Sequence, residues 1–220
     1  MPFTPDELNE LPIVISAPRF ATYLQAMANN HEQALALYEW NLDLSSALTV
    51  PLQVCEVAVR NGVAEAIEHV HGPNWPWNNG FIRSLPRPRR QFDYDPSVDL
   101  TRCASRLPTT GKIVAELKFA FWEKIFTVGQ ASRIWDTHFR QCFPGAPITL
   151  PIRECILEAH NDIRTIRLLR NRIAHHEPVF TRDLADDYRR MHDMIAWRNQ
   201  VAATWMDNKQ TVLAILGRRP

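Results

Sequence analysis

Leu169-Arg170-Asn171-Arg172-Ile173-Ala174-His175-His176-Glu177-Pro178 closes a helical run and ends it in a knot of arginine, asparagine and histidine. Proline at 178 biases Glu177 away from helical geometry, so the helix is predicted to stop close to His175 and His176. Reading backward, Ile152, Ile156, Ala159, Ile163, Ile166 and Leu169 recur at three- and four-residue steps, the period of one helix face. That spacing predicts a helix over 150–174. Reading forward, Leu184, Tyr188, Met191, Met194, Ile195 and Val201 predict a second helix over 182–206, after a turn at 177–181. Thr181 is the candidate N-cap of that helix. The pair reads as a long antiparallel helical hairpin.

The same period continues upstream. Pro18 opens a predicted helix over 19–29, with Phe20, Tyr23, Leu24 and Met27 on one face. Further helices are predicted over 31–48 and 51–71, the latter carrying Leu52, Cys55, Val59, Val63, Ala66 and Val70, and over 112–126 and 130–139. Phe143-Pro144-Gly145-Ala146-Pro147 is a break. Residues 72–110 carry Pro73, Pro76, Pro86, Pro88, Pro96 and Pro108, and read as an irregular insertion with short helical pieces. Arg83, Arg87, Arg89 and Arg90 form a basic cluster within it. Only 7 glycines are present, and strand-like alternation is hard to find. The expected fold is all-α, a single domain of residues 1–220 with the insertion at 72–110.

Composition narrows the function classes. Lys+Arg 25 against Asp+Glu 24 gives a formal charge of +1, so nucleic-acid binding must come from local patches rather than a global basic field. Lysines occur only at 112, 118, 124 and 209, and the arginine excess favours planar, bidentate contacts to phosphate or carboxylate. The four cysteines, Cys55, Cys103, Cys142 and Cys155, contain no C-x-x-C pair, which argues against a thiolate zinc site. The first residues lack the basic start and apolar core of a signal peptide, and no uninterrupted apolar stretch approaches the ~20 residues of a membrane span. The expected setting is cytoplasmic, with reduced thiols and no membrane partner.

The knot at 169–178 places a permanent cation, an amide and a group titrating near neutral pH within six residues. Those groups hold a phosphate and move a proton without a metal. The competing reading is that arginine and histidine at a helix C-terminus simply complement the macrodipole. On a straight helix Arg170 and His175 stand ~140° apart around the axis. Either the helix unwinds before His175, or the site is assembled from two copies of the chain. Arg164, Arg167 and Arg172 bring further guanidinium groups to this end, with Glu154, Glu158 and Asp162 available as partners. Adjacent His175, His176 and Glu177 diverge by ~100° per residue, unlike the i, i+4 pair of a helical zinc site. No G-x-S-x-G pattern and no phosphate-binding glycine loop occurs. Glu56, Arg60 and Asn61 form a second polar knot, with Glu56 and Arg60 spaced as an i, i+4 ion pair.

Arg170-Asn171-Arg172-Ile173-Ala174-His175 resembles the R-N-x-x-x-H form of the HEPN ribonuclease motif. The longer string from Leu168 to Phe180 resembles the Abi-like branch of that superfamily, linked to bacterial abortive infection. Tyr38-Glu39-Trp40-Asn41, Glu56-Val57-Ala58-Val59-Arg60-Asn61, Val114-Ala115-Glu116-Leu117 and Phe121-Trp122 extend the similarity over about residues 20–200. The resemblance implies a bundle with a four-helix core, dimeric, and a metal-independent endoribonuclease that leaves a 2′,3′-cyclic phosphate and a 5′-hydroxyl. Arg170 and His175 match the motif's arginine and histidine, and Asn171 its polar second position. Glu56, Arg60, Asn61, His176 and Glu177 are supporting candidates, and Arg164, Arg167 and Arg172 are candidates for RNA contacts. No cofactor or metal is implied. The implied partners are RNA, a second copy of the chain, and an antitoxin or regulatory protein. Some relatives are binding modules without activity, so the alternative expectation is a catalytically inactive RNA- or protein-binding module.

Overall fold

The computed structural model describes residues 3–220 and is helical throughout, with no strand among the described residues. Thr4 and Glu7 form a capping box that starts α1 (Pro5–Ile15), a helix the sequence reading had not anticipated. α2 (Ala17–Ala26) ends three residues earlier than expected, because Ala28 and Asn29 take left-handed backbone angles that reverse the chain. Asn30 then caps α3 (His31–His71) by accepting from the Gln33 amide at 3.1 Å.

α3 corrects the largest expectation. The helices predicted over 31–48 and 51–71 are one helix of 41 residues with Pro51 in its interior. Proline removes an intrahelical hydrogen bond and crowds the preceding turn, at a cost of ~3 kcal/mol. Leu44, Leu48, Leu52, Cys55 and Val59 are buried on either side of it, and that packing holds the helix together across the defect. By length and hydropathy alone α3 would pass for a membrane span. Its buried stripe is covered instead by α2 and by the helices that follow.

The segment 72–110 holds a 3-10 turn at Trp75–Trp77, α4 (Asn79–Ser84) and α5 (Pro96–Ala104), and Trp75, Phe81, Leu85 and Leu100 from it are buried. The expected helix 112–126 is two helices, α6 (Thr110–Glu116) and α7 (Phe119–Ile125). Leu117 turns extended between them, and the Lys118 amide donates to Asp99 Oδ2 at 3.4 Å. α8 (Val128–Gln130) runs through a π turn at Ala131–Trp135 into α9 (Asp136–Cys142). That turn lays Trp135 flat on Phe126, ring centroids 4.6 Å apart, with its indole N–H on the Ile125 carbonyl at 2.9 Å.

The last third is α10 (Ile152–Ala174), α11 (Leu184–Arg198), α12 (Gln200–Asp207) and α13 (Val212–Leu216). Arg190 on α11 pairs with Asp162 on α10, and Arg182 reaches both Asp187 and the Thr165 carbonyl, which fixes the hairpin as antiparallel. Two details differ from the sequence reading. Asp183, not Thr181, caps α11, accepting from the Asp186 amide at 3.0 Å. Asn199 takes an extended conformation and caps α12 through the Ala202 amide, splitting the second helix. α11 runs alongside α3 in the same direction, since Val179 meets Asn41 and Arg198 meets Glu65. α10 runs opposite to α3, with Arg170 facing Glu56.

Candidate active site

α10 buries Cys155, Ile156, Ala159, Ile163, Ile166 and Leu169, and its outer face carries the arginines to the C-terminal end. The His175 amide donates to Asn171 O at 2.9 Å, a regular helical bond, and His175 has φ −95° and ψ 8°. The helix therefore does not unwind before His175. The ~140° separation from Arg170 stands within one chain.

The helix then closes with two nested bonds, His176 N–H to Ile173 O at 3.0 Å and Glu177 N–H to Arg172 O at 2.8 Å. This is the Schellman arrangement, whose left-handed residue is usually glycine. Here it is His176, at φ 55°. Outside glycine such a conformation costs roughly 1–2 kcal/mol, though histidine tolerates it better than most.

Two straps hold the loop beyond the helix. Arg172 donates from Nε and Nη2 to the Pro178 carbonyl at 3.1 and 2.7 Å. The Val179 amide donates to Asn41 Oδ1 at 2.8 Å, with Asn41 buried on α3. Val179 and Phe180 are buried, and Phe180 packs on Tyr23 at 5.1 Å. His175, His176 and Glu177 stay exposed at the apex of this anchored loop.

The remaining candidates divide. Arg170 is exposed and lies 3.9 Å from Glu56 Oε2, in a shallow pocket of about 260 Å³ formed with Thr49, Leu52, Gln53 and Ile173. So long and wet a pair contributes little to stability, ~0–1 kcal/mol. Glu56 thus faces Arg170, and the i, i+4 pair with Arg60 expected from spacing does not form. Arg60 and Asn61 face a different cleft. Arg167 donates to the buried carboxylate of Glu123 at 2.5 Å, and Arg172 is occupied by the Pro178 carbonyl and, at 3.7 Å, by Glu177. Both neutralise protein groups. Among the described residues Arg164 has no such partner and is exposed.

Glu123 and His160 were not singled out by sequence reasoning, and Asn41 entered only within the Tyr38–Asn41 segment of the resemblance, with no role assigned. Glu123 had a legible signal, an acid surrounded by Phe119, Phe121, Trp122, Ile125 and Phe126. Its carboxylate also takes Lys124 at 3.5 Å, and His160 Nδ1 sits 3.2 Å from its backbone oxygen. Together with Arg87, Arg89 and Arg167 these groups line a cleft of about 640 Å³ in which cations outnumber carboxylates. Asn41 left no periodic signal, because its partner is a backbone amide distant in sequence.

His175, His176 and Glu177 do not converge as metal ligands. Among the described residues Glu65, His69 and Cys142 offer ligand atoms within 4.8 Å of one another. Arg198 already holds Glu65 and donates to the Cys142 carbonyl, and burial pushes the Cys142 thiol up to about 11. Those residues work as an ion-paired strut between α3, α9 and α11. All four cysteines are buried and unbridged. Comparison of the chain with protein-family models, with curated proteins and with solved structures found no match, so the reading of this site rests on its geometry and its motif.

Proposed function

We propose that the chain is a metal-independent endoribonuclease of the HEPN, Abi-like kind, acting in the cytoplasm as an abortive-infection or toxin–antitoxin effector. The observation that carries this reading is the unbroken helix to Ala174, closed by His176 with the left-handed turn. It presents His175 at an anchored apex and leaves Arg170 on another side of the same helix. A complete arginine–histidine pair then needs a second copy, whose α10 end meets the first across a two-fold axis. In that cleft Arg170 binds the non-bridging phosphate oxygens, with Asn171 beside it, and His175 carries the proton. The ribose 2′-oxygen attacks phosphorus and loses its proton. The P–O5′ bond breaks, and the departing oxygen takes a proton to become the 5′-hydroxyl. The basic cleft of Arg87, Arg89, Lys124, His160 and Arg167 supports a path for the RNA backbone along α10. An antitoxin or regulatory protein would act by covering the exposed apex.

The test is incubation of purified protein with total RNA in excess chelator. Fragments ending in a cyclic phosphate, absent with His175→Ala, support the enzyme. One observation favours the alternative, a catalytically inactive RNA- or protein-binding module: Arg170 already has Glu56 beside it, and Arg167 and Arg172 serve internal carboxylate and carbonyl groups. Intact RNA with saturable binding decides for the module.

A further inference from the structure

The strut that joins α3, α9 and α11 also brings four ligand-type side chains together. Glu65 and His69 stand one helical turn apart on α3, and His138 and Cys142 stand one turn apart on α9. The two i, i+4 pairs meet across the packed helices. One Glu65 carboxylate oxygen, one His69 ring nitrogen and the Cys142 sulfur lie within 4.8 Å of one another. Atoms so spaced enclose a point about 2.8 Å or less from each, against bonds of about 2.0–2.3 Å in a tetrahedral zinc site. Side-chain shifts of roughly half an ångström close that gap. Cys142 is buried, whereas His69 is exposed and Glu65 half-buried, so an ion approaches the sulfur from the solvent side between those two.

Hydrogen bonds already orient these groups. Arg198 holds Glu65 by Oε2 and donates to the Cys142 carbonyl at 2.6 Å, which leaves Glu65 Oε1 turned towards His69 Nε2 at 3.8 Å. A carboxylate held by its second oxygen is the usual outer support of a metal ligand. Gln141 orders the two histidines. Its amide nitrogen, 3.0 Å from His69 Nε2, can only donate, so that ring nitrogen carries a lone pair and not a proton. Its amide oxygen, 3.4 Å from His138 Nδ1, can only accept, so the His138 proton sits on Nδ1 and Nε2 is left as a ligand atom. The two rings stack with centroids 5.0 Å apart, and rotation of the partly exposed His138 side chain brings Nε2 to a fourth position. Gln141 is exposed and yields its place on His69 to the ion.

We propose that Glu65, His69, Cys142 and His138 bind one zinc ion, which clamps α9 to α3. A mixed set of thiolate, imidazole and carboxylate suits zinc, whereas magnesium prefers oxygen ligands alone. On binding, the Cys142 thiol gives its proton to solvent and the sulfur bonds the ion as thiolate, with no electron transferred. Such a site needs no C-x-x-C pair, because the ligands come two by two from helices far apart in the chain. His69 lies roughly 20 Å further along α3 than Glu56, the residue that faces Arg170, so the ion is a structural clamp and takes no part at the α10 end. The site stands or falls independently of the ribonuclease reading.

The experiment frees the full chain of metal with a chelator, removes the chelator, and titrates with cobalt(II), zinc and magnesium in turn. Cobalt should bind at one ion per chain with a thiolate-to-cobalt charge-transfer band in the near ultraviolet, and zinc should bleach that band. Cys142→Ser should abolish it. His69→Ala should weaken zinc binding by more than the roughly 10–100-fold that loss of an outer partner costs. Zinc should raise the melting temperature of the wild type and not that of His69→Ala. If Cys142→Ser fails to fold, His69→Ala and Glu65→Gln, both reached by solvent, carry the test through zinc affinity. No cobalt band in the wild type, or a band and affinity that survive in Cys142→Ser and His69→Ala, overturns the site. Magnesium binding as tightly as zinc overturns the thiolate's part in it, and unchanged zinc affinity in His138→Ala overturns the fourth ligand.

Discussion

His176 shows how one residue is fixed by the fold and left free for chemistry. Its backbone closes α10 in a left-handed conformation that glycine would adopt without strain, while its side chain is exposed. His176→Gly should therefore raise the melting temperature, by up to about 1 kcal/mol of stability. If the imidazole also supports turnover, the same variant should cleave RNA more slowly despite its stability. His175 and Arg170 predict different losses. His175→Ala should fold normally, bind RNA and lose roughly 100-fold or more in rate, the usual scale for a positioned acid or base. Arg170→Lys keeps the charge but loses the planar fork, and should also be slow. Under a purely capping role Arg170→Lys would be silent, and His175→Ala would lower stability rather than turnover. Chelator should leave the wild-type rate unchanged.

Elements meet at points where one atom has no room. At Gly145 a Cβ would collide with the Ala196 carbonyl, in the turn where the Gly145 amide donates to Trp197 O at 2.9 Å. Helical backbone cannot step aside cheaply, so Gly145→Ala should cost about 1–3 kcal/mol, read as a lower denaturation midpoint. Asp99 joins α5 to α7 in another way. It is buried, and it accepts from Tyr94 at 2.7 Å, Arg102 at 2.6 Å and the Lys118 amide at 3.4 Å. Burial raises its pKa, but the bonds from Arg102, Tyr94 and the Lys118 amide outweigh burial and hold it below the ordinary carboxylate value. Asp186 is held low by Arg189 and Arg190. Such groups stabilise the fold fully above the unfolded-state value of ~4, and lose that contribution as pH falls through the folded value. Asp162 opposes this, because burial raises its pKa despite Arg190. The melting temperature should fall on acidification from neutral pH to pH ~3. Asp99→Asn should flatten that dependence and cost about 1–3 kcal/mol at neutral pH.

At the scale of the whole molecule, the proposed site is incomplete in one chain. Sedimentation should show a dimer at micromolar concentration. Mixing inactive Arg170→Ala with inactive His175→Ala chains should recover cleavage, because a mixed dimer rebuilds one arginine and one histidine in the shared cleft. A fully active monomer, or no recovery on mixing, would defeat the composite site. If the proposed function holds, a net charge of only +1 leaves the RNA to local patches, Arg164 and Arg170 on α10 and the basic cleft beside them. Cleavage should fall steeply with added salt if those patches guide the strand.

Periodicity along the chain determined that the protein is all-α and that a helical hairpin closes it, because burial of one helix face imprints a three- and four-residue period directly on the residues, and Pro178 marked the helix end near His175. The breaks it mislaid are tertiary. Pro51 stays helical because its buried neighbours hold the turn. Asn199 and Leu117 interrupt helices where Arg198 is drawn to Glu65 and the Lys118 amide to Asp99. The motif residues Arg170, Asn171 and His175 were legible as a chemical set. Their surroundings were not: that Glu56 faces Arg170 rather than Arg60, that Arg167 and Arg172 serve Glu123 and Pro178, and that Asn41 straps the loop from 138 residues away. Local sequence encodes which face of a helix is apolar. Which charge meets which across the bundle is decided only when the helices pack.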